Sequence, residues 1–67
     1  MNRMTIKDVS GKIIGYIDVD DNGNKVVRKF NLMIVGRYDA KRNVTKDFHN
    51  RVIARGDVSS SLLYMDQ

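Results

Sequence analysis

Three apolar doublets, Ile13-Ile14, Ile34-Val35 and Val52-Ile53, recur along the chain, and each is followed by a small residue: Gly15, Gly36 or Ala54. Aligning the chain on these doublets brings three stretches into register without internal gaps: TIKDVSGKIIGYIDV (residues 5–19), VVRKFNLMIVGRYDA (26–40) and VTKDFHNRVIARGDV (44–58). Val9, Phe30 and Phe48 then coincide. Asp18, Asp39 and Asp57 close each unit, and Lys7, Arg28 and Lys46 share a basic position near its start. Matched chemistry at matched positions is the signature of a repeated supersecondary unit.

Each unit reads as two short strands around a tight turn, at Ser10-Gly11, Asn31-Leu32 and His49-Asn50, where one residue of each pair tolerates the positive φ that short hairpins require. The links between units have turn composition. No segment of useful length has helical periodicity, so the expected fold is all-β, one domain over residues 1–67. A strand exposes alternate residues to opposite faces, so each doublet would place one apolar side chain on each face. Three hairpins cover both faces by packing around a pseudo-symmetric axis, with Ile13, Val35 and Ile53 sharing a core. The apolar C-terminal run is expected to add a seventh strand over residues 61–66.

The run GKIIGYID followed by NGNKV, with its echo LMIVGRYD, resembles the strand-turn-strand units of bacterial β-flower proteins, and it is similar to WG-type β-hairpin repeats. The chain departs from the WG pattern in having no tryptophan, and in carrying Ala54 and Gly56 where a glycine and an aromatic are expected. The resemblance implies a radial hairpin fold and transfers no site residue.

Composition narrows the picture further. The 67 residues are 42% hydrophobic and 30% charged, as suits a folded domain. A chain this short buries a small share of its surface, and with no cysteine it has neither a disulfide nor a thiolate metal site. Self-association is the expected supplement. Glutamate and proline are both absent, which suits strands. No apolar run reaches membrane-spanning length and the N-terminus lacks a secretory h-region, so the expected location is cytoplasmic, without membrane contact. A net charge of +4 attracts polyanions and also favours solubility.

Few motifs carry chemistry. Asp18 to Gly23 matches the first half of an EF-hand calcium loop, but Lys29 stands where the bidentate glutamate belongs, so a connector turn is the better reading. His49, the single histidine, reads as a turn residue rather than a zinc ligand. Asp18, Asp39 and Asp57 would form a carboxylate ring if the units were symmetric; strand-ending turn residues are the better reading. Asn43-Val44-Thr45 fits a glycosylation acceptor, relevant only to a secreted chain. No nucleophile, base and orienting acid stand together, so no enzyme and no cofactor are expected. The candidate polyanion contacts are Lys7, Arg28, Arg37, Lys46 and Arg55, which a symmetric repeat would arrange as a basic ring, with Tyr16, Tyr38 and Phe48 as stacking surfaces. The expected function is a non-enzymatic, self-associating structural or binding module that presents a surface to a protein partner; the alternative is a small basic nucleic-acid-binding protein.

Overall fold

The computed structural model describes residues 2–65, which form six strands: β1 (Asn2–Lys7), β2 (Ile13–Val19), β3 (Lys25–Lys29), β4 (Ile34–Asp39), β5 (Val44–Asp47) and β6 (Val52–Arg55). They make one open antiparallel sheet in chain order, each strand hydrogen-bonded to its chain neighbours. The chain is therefore all-β, with little helix.

The hairpin turns explain why the strands end where they do. Gly11, Leu32 and Asn50 occupy the left-handed region, at φ values of 89, 71 and 66°. Their amides donate to the carbonyls of Asp8, Lys29 and Asp47, whose own amides donate to Lys12, Met33 and Arg51. Each loop is thus three residues long, a tight turn followed by one left-handed residue, which is a favoured hairpin solution. The two-residue turns expected from the sequence are one residue longer than predicted, although the positive φ falls on the second member of every expected pair. Asp8 and Asp47 reinforce their turns by accepting amide hydrogen bonds from Ser10 and Lys12, and from His49 and Arg51. Asp20 does the same for Asn22 and Asn24 in the β2–β3 link, where Gly23 takes the left-handed position.

The apolar doublets are β-bulges. Along β1 and β2 the pairing steps from Ile6 with Gly15 to Lys7 with Ile13, passing over Ile14. Along β3 and β4 it steps from Val27 with Gly36 to Arg28 with Ile34, passing over Val35. Along β5 and β6 it steps from Thr45 with Ala54 to Lys46 with Val52, passing over Ile53. A bulge puts two residues opposite one and increases local twist, so strict alternation fails at these doublets. The expected division of each doublet between two faces fails with it.

One face of the sheet is covered, and the residues after the doublets are what allow it. Downstream of β6, Ser59–Ser61 form a 3-10 turn and Leu62–Met65 one turn of helix, α1. The seventh strand expected over 61–66 is therefore corrected for residues 61–65; Asp66 lies outside the described residues. Asp57 shapes this tail by accepting hydrogen bonds from the Ser59 amide and hydroxyl. Fully buried Thr45 ties it to the sheet, its hydroxyl donating to the Gly56 carbonyl and accepting from the Val58 amide. Leu62 then lies over Gly36 and Leu63 over Gly15. A strand would have sent these two leucines to opposite sides; a helical turn lays both on the sheet.

The core consists of Ile17, Val27 and Leu62, with Ile6, Val19, Val35 and Leu63 packed around it. Of the three residues expected to share a core, only Val35 reaches it. Ile13 and Ile53 are each 38% exposed and lie outside the buried cluster.

Candidate functional site

The opposite face carries no described element, and alternation along the strands fills it with cations. The pairing sets Arg3, Asp18, Val26, Arg37 and Lys46 side by side across five strands, with Thr5, Tyr16 and Arg28 beside them. Arg55 lies opposite Val44, which is opposite Asp39, and so joins the same face.

Asp18 organises one half of this face. Its carboxylate accepts from Arg3 Nε at 2.6 Å and Nη2 at 3.0 Å, and from Arg28 Nε at 3.0 Å. Arg3 also lies over the Tyr16 ring, 5.2 Å from its centroid. Asp18 is buried beneath these groups. The Arg3 hydrogen bonds, with the one from Arg28, outweigh its desolvation and hold its carboxyl down from 3.8 to about 2. A folded-state value below the unfolded one stabilises the fold above the unfolded pKa and loses that contribution as pH falls. Asp18→Asn is therefore expected to lower stability at neutral pH and to flatten the loss between about pH 4 and pH 2, measured as urea midpoint against pH. Part of the acid loss remains, since Asp39 is lowered by Arg42 and Asp8 by the Ser10 hydroxyl. An unchanged acid limb would contradict the pairing.

The other half of the face is not neutralised. Arg37 and Lys46 are directly opposed, an arrangement of like charges that costs stability. Among the described residues Lys46 pairs with Asp39, at 3.9 Å, and Asp39 is also held by Arg42 at 3.0 Å. Exposed Arg37 and Arg55 form no ion pair among the described residues. Beside them is a hollow of about 360 Å³ lined by Val26, Arg37, Asp39, Lys46 and Asn50 among others.

The candidate polyanion contacts Lys7, Arg28, Arg37, Lys46 and Arg55 thus lie on one face by strand alternation, in an open sheet rather than a ring. Lys7, Arg28 and Lys46 occupy alternate strands, each opposite the first residue of a doublet. Arg3 belongs with them and was missed, although its two-residue spacing from Thr5 and Lys7 is a legible signal. Of the expected stacking residues, only Tyr16 lies on this face. Tyr38 faces the other way, beneath the Lys25 ammonium and donating to Asn43 at 2.6 Å.

Asp18, Asp39 and Asp57 are not brought together as a ring. Asp18 serves Arg3 and Arg28, Asp39 serves Arg42 and Lys46, and Asp57 pairs with Lys25. No group of three histidine or carboxylate side chains among the described residues is arranged to hold a metal ion. His49 sits in an exposed turn with its ring against Phe48. In the Asp18–Gly23 stretch, Asp18 and Val19 end β2 and the four residues from Asp20 to Gly23 form a tight turn.

A second surface lies at one end of the meander, where the β1–β2, β3–β4 and β5–β6 turns come together by topology. Val9, Phe30 and Phe48 are the first loop residue of these three turns, and all are exposed, Phe30 at 66% and Phe48 at 60%. Their coincidence in the sequence comes from matching positions on exposed turns, not from a shared core. Phe48 also lines a cavity of about 440 Å³, with Met33, Val35, Ile53 and Leu62 and the charged Lys29 and Asp47 among its other walls.

No family model, curated protein or solved structure matches the chain. No helix among the described residues is long and apolar enough to cross a membrane.

Proposed function

We propose that the chain is a small non-enzymatic binding module that associates with a second copy of itself through the apolar end of its sheet. One observation carries this reading: exposed Phe48 lines a mainly apolar groove of about 440 Å³ that also takes in Lys29 and Asp47, and exposed Phe30 projects from the turn that follows Lys29. Projection and recess on one patch make it self-complementary, as a two-fold interface requires. A water-facing turn has no packing use for phenylalanine, whereas a partner's groove does. The small core adds to the case, since burial of this end in an assembly supplies stability that a chain of this size lacks.

The three-unit organisation belongs to the same proposal. Matching turns, bulges and basic positions support reading the sheet as three repeated hairpins of the kind that β-flower and WG-type chains resemble. The partner is then another copy, and any further protein would bind the assembled module.

Sedimentation equilibrium tests the association. The expected result is a dimer in the micromolar range whose melting temperature rises with concentration, and a Phe30→Ser/Phe48→Ser variant that is a folded monomer. Both side chains are exposed in the single chain, so the double substitution leaves its core intact. A folded, concentration-independent monomer of the unsubstituted chain would refute the proposal.

A further inference from the structure

We propose that the open face of the sheet binds single-stranded nucleic acid, with Arg37, Lys46 and Arg55 on the phosphates and Tyr16 under a base. The site is distinct from the apolar end, and the inference does not depend on self-association.

The charge distribution is the first observation. The strands place Arg3, Lys7, Arg28, Arg37, Lys46 and Arg55 on this face against Asp18 and Asp39, a net of +4 that equals the total of the whole chain. The two carboxylates are unevenly spent. Asp18 is saturated by Arg3 and Arg28, while Arg37 stands directly opposite Lys46 and has no carboxylate of its own. Opposed like charges beside a 360 Å³ hollow become favourable when an anion enters between them, and a phosphodiester has the matching charge.

The extent of the face selects an extended ligand. From Arg3 on β1 to Lys46 on β5 there are four strand intervals, about 19 Å at the usual inter-strand spacing. A single phosphate would use one pair of the cations that Asp18 leaves unneutralised; a polymer with regularly spaced phosphates reaches Arg37, Lys46 and Arg55 together and runs on to Tyr16. Half-buried Tyr16 stands on the same face between Thr5 and Arg28, held by the Arg3 guanidinium. A pre-oriented ring flanked by cations stacks on an unpaired base whatever its identity. Among the described residues this face has no helix or projecting hairpin to enter a duplex groove, so bases must come to the sheet unpaired.

Fluorescence anisotropy with a labelled oligothymidylate of about 15 nucleotides tests the proposal. Binding is expected to weaken steeply between about 50 and 200 mM salt. Arg37→Gln/Lys46→Gln is expected to lower the log–log salt slope by about 1.4, the value for two lost phosphate contacts on a single strand. Lys12→Gln/Lys41→Gln removes the same charge from exposed turns and is expected to leave the slope intact. Tyr16→Leu is expected to weaken binding roughly tenfold, and Tyr16→Phe to retain it. Thermal melts establish that each variant is folded. No saturable binding, equal affinity for a duplex or heparin of matched charge, or equal loss in the two lysine and arginine double variants would each overturn the proposal.

Discussion

Gly36→Ala is expected to destabilise the protein by about 3 kcal/mol, at the upper end of what an overpacked site costs. The added Cβ would lie 2.5 Å from the Lys46 carbonyl oxygen and 2.6 Å from Leu62 Cδ1. The first of these is backbone of the neighbouring strand, which cannot move without stretching the β4–β5 ladder. The second is the side chain that closes the core. Gly15→Ala meets the same two obstacles, 2.3 Å from the Arg28 carbonyl oxygen and 2.5 Å from Leu63 Cδ2. Native proteins have a margin of only about 5 to 15 kcal/mol, and a chain this short lies toward the bottom of that range. Gly11→Asn is the comparison: its site has open space around the Cβ and a left-handed backbone that asparagine tolerates. Urea midpoints that are equal for Gly36→Ala and Gly11→Asn would show that the crowding beneath the tail does not exist.

Leu62→Ala is expected to cost about 3 kcal/mol, within the usual range for deleting a buried leucine side chain. Leu62 is 4% exposed and is one of the three apolar residues at the centre of the core. Its loss opens the space above Gly36 and Val27 together. Leu62→Met, which conserves volume, is expected to cost less than about 1.5 kcal/mol. If both substitutions leave the denaturation midpoint in place, the tail does not cover the sheet.

The all-β class and the positions of the three principal turns were legible because they depend on local chemistry. Gly11 and Asn50 are residues that accept a left-handed backbone, and the strands between them are rich in β-branched residues. The bulges were not legible, since a doublet such as Ile34-Val35 obeys the same alternation rule whether or not one member is skipped in the pairing. The consequence spread: Ile13 and Ile53 were assigned to a core they do not reach. The tail was misread because four apolar residues show no period, and a short apolar run does not distinguish strand from helix. What settles it is tertiary, namely two glycines forty-eight and twenty-six residues upstream that leave room for Leu63 and Leu62. On the candidate basic site, three of the five cations, Lys7, Arg28 and Lys46, share one place in the repeat, and strand alternation brings all five to one face. Its neutral half was invisible, because the pairing of Asp18 with Arg3 depends on register between two strands.

The meander order has a kinetic consequence. Every ladder joins strands adjacent in the chain, so each hairpin closes a short loop and the sheet can zip from any point along it. The tail differs, because Leu63 must find Gly15 across most of the chain. Loop-closure entropy grows with the span enclosed, and contacts of this kind form after local ones have shortened the path. Seating of the tail then falls after the rate-limiting step, which makes it a latch on unfolding. In stopped-flow chevrons Leu62→Ala is accordingly expected to steepen escape from the native state while leaving the refolding limb nearly in place, whereas Gly36→Ala, which also disturbs the ladder, slows refolding as well.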